Sequence, residues 1–373
     1  MVLFYRTFIM ITTSVWMCTF FSCKWGDQGY RNEENCHMDT GSTINIDVKD
    51  ALNSYKTSST FLNLVVAYNG MNHSLDLFNI SDKSFIASHK LESDGPFGLG
   101  IIRKLHFYST DSIFIFSENK VFICDTSFDH CSAIPLPGET NPVSGFNPER
   151  YYIHWGLRGV NPFYFKGSVY LPCIKLDEKT EAGLKPLCCK YDIPSGSAEM
   201  IDIPEEIKGP DTWYGILDQV NYSLFDSFLY FGFRYSPDIY RYDLNSKIFQ
   251  PVYLSDIGEN PPSKRDGSMD YPVFNIMNYY TYHELKITPG GTLQAIFNKP
   301  GKESPKTGRK VINEMFLRAI HLADSHKSAE ELLILSKLDP FKGILYNNAI
   351  YFPLDKPDSE NLMRLHGYEL VCK

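Results

Sequence analysis

The chain has 373 residues, with 36 basic and 44 acidic side chains and a formal net charge of -8. Its content of 43% hydrophobic and 14% aromatic residues excludes a disordered chain, which carries too little apolar surface to offset the entropy of ordering, and it excludes collagen-like and coiled-coil proteins. The acidic balance argues against a nucleic-acid binder, whose affinity comes largely from basic groups on phosphate.

The first segment reads as an address. Arg6 is followed by an apolar or small run from Phe8 to Phe21, shorter than the roughly 20 residues of a bilayer-spanning helix. A basic residue, a short apolar core and then a small residue make the layout of a secretory signal peptide over residues 1–22. The next residues, Phe20-Phe21-Ser22-Cys23, resemble a bacterial lipobox, in which a small residue precedes a Cys that is acylated. Phe20 and Phe21 depart from the usual Leu and small residue of that pattern. Acylation of Cys23 implies several buried alkyl chains, enough for stable anchoring in a lipid bilayer. No Asp follows Cys23, so the resemblance implies the outer membrane. Residues 24–42 are polar, Gly-bearing and without period, and are expected to be a flexible tether.

From residue 43 onward short apolar runs alternate with Asn, Asp, Gly, Ser and Pro, and convincing helices are few. Thr43 to Val48 comes first. A loose unit then recurs, in which an apolar run ends at Asn or Asp, a polar turn follows, and a second run leaves. Instances end at Asn79, Asp125, Asp192 and Asp243. Asp and Asn suit these places because their side chains bond to backbone two residues on. Phe316 to His321 begins a fifth copy, and Leu362 to Val371 reads as the inner hairpin of a sixth. The intervals are close to the roughly 40–50 residues of a propeller blade, with an insertion between Asp125 and Asp192. Ile101 to Leu136 holds four short strands, the content of one blade. We therefore expect an all-β fold over residues 43–373: a single β-propeller domain, most simply of six four-stranded blades. Thr43 to Val48 would close it against the C-terminal blade. A pair of β-sandwiches shares the same local patterns and is the competing architecture.

The stretch Gly95-Pro96-Phe97-Gly98-Leu99-Gly100, followed by Asp111-Ser112-Ile113-Phe114, resembles bacterial lipoproteins of the six-bladed propeller type, many of them grouped only as a domain of unknown function. The resemblance is strongest over residues 42–140. It implies fold and not chemistry, and offers no catalytic residues.

Of the nine Cys, Cys18 belongs to the signal and Cys23 to the anchor. An exported protein meets an oxidising compartment, so disulfides are expected: Cys124–Cys131 across one hairpin, Cys173 with Cys188 or Cys189, and Cys36–Cys372 where the ring would close. No C-x-x-C or HExxH spacing for a metal, no GxSxG and no phosphate-binding loop occurs, so neither metal nor cofactor is expected. The run Pro289 to Thr292 reads as a hairpin turn. Two aromatic clusters suggest a binding surface, Tyr151 to Trp155 with Arg158, and Arg265 to Tyr271 with Tyr279 to Glu284; Trp213-Tyr214 adds a third. Aromatic faces with Arg, Asp and His suit a sugar or a peptide, although most of these rings are explained by packing between sheets. The residues singled out as ligand-binding are His154, Trp155, Arg158, Asp270 and His283. The function expected is a membrane-anchored exported propeller that binds a peptide, protein or glycan. The alternative is a propeller enzyme, a hydrolase, lyase or sugar oxidoreductase, with its site over the central channel.

Overall fold

The structure is a computed structural model that describes residues 36–47, 55–92, 98–155, 160–175, 185–208, 219–254, 280–299, 301–303, 310–311, 314–333, 342–353 and 362–372. Among these the one α-helix is the short Glu205–Lys208; nearly everything else regular is antiparallel strand.

The strands form consecutive four-stranded sheets, each a meander. Sheet 1 is Tyr55–Phe61, Leu64–Asn69, Ser74–Asn79 and Ser84–Lys90. Sheet 2 is Lys104–Ser109, Ser112–Phe116, Lys120–Cys124 and Cys131–Pro135. Sheet 3 is Phe163–Phe165, Ser168–Leu171, Lys185–Asp192 and Ser197–Ile203. Sheet 4 is Val220–Phe225, Phe228–Phe233, Ile239–Asp243 and Phe249–Tyr253. Sheet 5 is Thr281–Ile287, Thr292–Asn298, Met315–His321 and Asp324–Leu333. Sheet 6 is Ile344–Tyr346, Ala349–Pro353 and Leu362–Cys372, completed by Thr43–Asp47 from the other end of the chain. A single parallel pair, Asp47 with Ser84, joins sheets 6 and 1.

The packing shows that these sheets make a closed ring. In a strand successive side chains point to opposite faces, and each second strand feeds two separate cores. Val65 and Ala67 pack toward sheet 6, while Val66 and Tyr68 pack toward sheet 2. Ile113 and Ile115 face sheet 1, while Phe114 and Phe116 face sheet 3. The same alternation continues through Val169 and Tyr170, Phe231 and Tyr230, Phe297 and Ile296, and Ile350 and Tyr351. Each core lies between two consecutive sheets, and the last, built from Ile44, Ile46, Val65 and Phe78, joins sheet 6 back to sheet 1. This is a β-propeller. Two β-sandwiches would instead leave two cores, each enclosed by its own pair of sheets. Each fully buried Phe or Ile of these cores contributes about 1.5–3 kcal/mol through burial.

The turns that hold the hairpins repeat as well. The Asn or Asp at the end of the third strand accepts backbone hydrogen bonds through its side chain. Asn79 Oδ1 takes Ser81 N–H at 3.0 Å, Asp192 Oδ1 takes Ser195 N–H at 2.9 Å, and Asp243 Oδ1 takes Asn245 N–H at 2.8 Å. Four residues on, Lys83, Gly196 and Lys247 have positive φ, which ends each turn. The residue after the Asn or Asp then donates its N–H to the first turn of the same sheet: Ile80 to Asn63 O at 2.9 Å, Ile193 to Gly167 O at 3.0 Å and Leu244 to Ser227 O at 3.0 Å. Pro289 and its neighbours do form a hairpin turn, between Ile287 and Thr292. Two readings of the sequence are corrected. The expected tether of residues 24–42 does not stay without structure to its end, because Cys36–Asp39 is a strand held on Leu362–Cys372. Leu362–Cys372 is a single strand of 11 residues and not a hairpin, because two N-terminal strands pair along it: Thr43–Asp47 beside Leu362 to His366, and Cys36–Asp39 beside Glu369 to Cys372.

Disulfides join Cys36 to Cys372, 336 residues apart in sequence, and Cys124 to Cys131. The expected Cys173–Cys188 bond does not form: Cys173, Cys188 and Cys189 are buried free thiols. The reason is the sheet's two faces. Cys188 faces the core between sheets 3 and 4, whereas Cys173 and Cys189 face the core between sheets 2 and 3. Alkylation of the unreduced, denatured protein should label Cys173, Cys188 and Cys189 and spare Cys36, Cys124, Cys131 and Cys372. Labelling of Cys36 or Cys372 in mapped peptides would contradict the ring-closing bond. Replacing Cys372 by Ser should lower stability by about 2–5 kcal/mol.

Candidate functional site

In each meander the start of the first strand, the second–third hairpin and the end of the fourth strand lie at one end of the sheet. Around the ring these features make one face, here the upper end. Two clefts open there, of about 580 and 590 Å³, and both are lined by Arg103 and Trp155. The first also contains Glu118, Phe146, Tyr152 and His154. The second contains Lys56, Tyr68, His73 and Ile101. Each volume lies within the roughly 300–1,000 Å³ typical of ligand sites.

Local structure holds these side chains in place. The turn after Phe116 is closed by Ser117 N–H donating to Lys120 O at 2.9 Å, which presents Glu118. Arg103 donates its N–H to Phe116 O at 2.8 Å, and its Nη2 meets Glu118 Oε1 at 2.9 Å. Both members of that ion pair are partly exposed, so it orients the groups more than it stabilises the fold. Trp155 donates Nε1–H to Glu118 O at 3.2 Å and sets its ring 6.0 Å from Phe116. Tyr151–Ile153 pairs with Cys173–Lys175, and His154 N–H donates to Pro172 O at 3.0 Å. The segment carrying Tyr152, His154 and Trp155 is therefore tied to sheet 3 by backbone. The chain leading into Phe146 is anchored where Ala198 N–H donates to Ser144 O at 2.7 Å; the next residue, Gly145, has φ 85° and no room for a Cβ against the Ala198 carbonyl. In the second cleft Tyr68 Oη and His73 Nδ1 are 2.9 Å apart. Burial lowers the His154 pKa, so its imidazole is neutral at neutral pH and offers one donor and one acceptor. The groove thus offers flat apolar faces, a neutral imidazole and a matched cation and anion.

Of the residues singled out from sequence, His154 and Trp155 meet in this groove. Arg158, Asp270 and Cys23, like Trp213 and Tyr214, lie outside the described residues. His283 is elsewhere, between sheets 4 and 5. Its Nδ1 is 3.2 Å from Arg234 Nη2 and its Nε2 is 2.5 Å from Asn298 Oδ1. Arginine only donates, so Nδ1 accepts and Nε2 carries the proton. Arg234 also donates to Gln219 Oε1 at 2.9 Å. This is a buried polar network at the upper end of two neighbouring sheets, and it holds strand ends together. Sequence reasoning missed Arg103, Glu118, Lys56 and His73. The one local signal was a charged pair, Arg103-Lys104, that interrupts an apolar run where a strand begins.

Compared by sequence, the chain matches no family profile and no curated protein. Compared by structure, it is similar to a member of the DUF4221 family from Bacteroides vulgatus ATCC 8482. The TM-score is 0.66 at 13% identity, over 92% of this chain and 100% of that one. The chain has that protein's fold. It is also similar to a Bacteroides fragilis NCTC 9343 protein named for its expected export, with TM-score 0.59 at 12% identity, over 90% of this chain and 95% of that one. At such identities the likeness speaks for the propeller and for nothing chemical.

One titration follows from the interior beneath the groove. His106, on the first strand of sheet 2, has its Nε2 sealed from solvent without a hydrogen-bond partner, and burial lowers its pKa to about 4 from an ordinary 6.5. Between those values the unfolded chain binds a proton that the folded chain refuses. Stability should therefore fall as pH drops from 6.5 toward 4, by up to about 3 kcal/mol from this ring. Urea unfolding at pH 7 and pH 4.5 should show a smaller acid loss for His106→Phe than for the parent; an equal loss would show that the ring titrates normally.

Proposed function

We propose that the protein is an exported propeller, held on a bilayer through acylated Cys23, that binds a peptide, protein or glycan in the upper groove. The observation that carries the binding role is the pair shared by both clefts, Trp155 and Arg103. Trp155 supplies a flat apolar face whose orientation is already fixed by its bond to Glu118, so little entropy is lost when a ligand stacks on it. Arg103 and Glu118 supply charge-assisted donors and acceptors that set ligand orientation. Export is supported by the apolar run Phe8 to Phe21 and by the Cys36–Cys372 and Cys124–Cys131 bonds, which suit an oxidising compartment. The name of the Bacteroides fragilis neighbour agrees with it. The outer membrane is the proposed location, because no Asp follows Cys23.

Probing glycan and peptide arrays with the purified protein should reveal one class of ligand. Trp155→Ala and Arg103→Ala should each weaken its capture at least tenfold while circular dichroism stays unchanged. Retained capture in both variants would remove the groove from the reading. Cys23→Ala should move the protein from the membrane fraction to the soluble fraction; unchanged partitioning would sink the lipid anchor.

A further inference from the structure

We propose that the ligand of the upper groove is a glycan with a single carboxylate, and that the second cleft holds this carboxylate on Lys56 and Arg103 while neutral sugars occupy the first. This rests on the groove being the binding site and adds the chemical class of its ligand.

The second cleft is built for negative charge. No acidic side chain lines it, whereas Lys56, His73 and Arg103 do. Lys56 lies near the start of the first strand of sheet 1, at a β-bulge: Tyr55 pairs with Asn69 and Thr57 with Tyr68, so Lys56 is the extra residue. A bulge re-aims a side chain. Here Lys56 lies over the neighbouring hairpin, where a Cβ on Gly70 would overlap the end of its side chain and stand 2.9 Å from Nζ. Glycine at this position leaves the space that the lysine fills. Lys56 makes no hydrogen bond or ion pair with any described residue. Arg103 gives one Nη2 donor to Glu118 Oε1 at 2.9 Å, and its remaining donors meet no described acceptor. Two atoms of the wall, His73 Nε2 and Arg103 Nε, are buried without a hydrogen-bond partner, while His73 Nδ1 meets Tyr68 Oη. Polar atoms left unpaired in a wall ask for a partner from outside the chain. With Arg103 matched by Glu118, Lys56 is the unmatched cation of the cleft, and one carboxylate balances it.

The first cleft has a different character. Beside the Arg103–Glu118 pair it offers Asn119, Thr140, Tyr152 and the neutral imidazole of His154, groups that exchange hydrogen bonds with hydroxyls. Trp155 belongs to both clefts, so one molecule can cross its ring with a neutral sugar on one side and the acid on the other. A peptide takes much of its affinity from main-chain hydrogen bonds, and the main chain around the groove is already engaged. Met71 and Asn72 donate their N–H groups to Asn69 Oδ1 at 3.1 and 3.4 Å, Arg103 N–H goes to Phe116 O, and Leu136 N–H goes to Asn119 O at 2.8 Å. Recognition is left to side chains and an aromatic face, which suits a glycan better than a peptide.

The test is calorimetric titration of the purified protein with two probes that carry one carboxylate each, glucuronosyl-xylotriose and sialyllactose. Each is used as the free acid and as its methyl ester, and a tetrapeptide with one glutamate is titrated beside them. At least one acid should bind about tenfold or more tighter than its own ester, because charge-assisted hydrogen bonds to a carboxylate are the strong ones. That preference should shrink as salt is raised. Lys56→Met should bring acid and ester to about equal affinity by removing the unmatched cation. The proposal is overturned if neither acid binds, if acid and ester bind the parent protein alike, if Lys56→Met keeps the preference, or if the glutamate peptide binds more tightly than both acids. The comparison of acid with ester needs no variant, so it decides even if Lys56→Met does not fold. Trp155→Ala separates the two claims: lost capture without any acid preference in the parent would strike the carboxylate and leave the groove, whereas retained capture would strike the groove itself.

Discussion

Everything in this molecule depends on the pairing of Thr43–Asp47 with Leu362 to His366. A four-stranded sheet with apolar residues on both faces cannot bury itself; each must be covered on two sides. Five sheets in a row would still leave two bare faces. The N-terminal strand turns the C-terminal three-stranded piece into a full sheet, and Ile44 and Ile46 supply that sheet's share of the core against Val65 and Phe78. The Cys36–Cys372 bond sits at the far end of the same long strand. It fastens a pairing whose partners lie almost a whole chain apart, where loop-closure entropy is greatest.

Closure divides the molecule into a repeating lower end and an irregular upper end. The lower end carries the Asn and Asp turns and their recurring bonds to the neighbouring first turn. Those bonds use up the polar groups of the turns and leave little to offer a ligand. The upper end carries the second–third hairpins and the connections between sheets, whose lengths vary. Variation there costs the ring nothing, because the strands below are already covered. The long connection between sheets 2 and 3 is the case in point: it adds Tyr151–Ile153, His154 and Trp155 beside a hairpin that presents Glu118.

The repeating part was legible because its cause is local. Asn79, Asp125, Asp192 and Asp243 mark turns through bonds made within a few residues, so type and spacing carry the information. Cys124 and Cys131 were legible for the same reason, being register partners across one hairpin. What needed three dimensions was not. Cys188 and Cys189 are adjacent yet serve different cores, and choosing between them requires the register of a strand that is bulged between Pro186 and Cys188. His283 looked equivalent to His154 in a string of aromatics, but they belong to sheets on different sides of the ring. Arg103 and Glu118 gave almost no signal, since a surface ion pair and a turn are common; only their meeting with Trp155 distinguishes them. Leu362 to Val371 misled because a long strand with a polar middle resembles a hairpin unless its two partners are known.

The upper groove solves an electrostatic problem locally. In the groove Arg103 and Glu118 neutralise each other in partly exposed positions, so a ligand can trade contacts with either without leaving a charge stranded. That suits polar ligands that carry no large net charge.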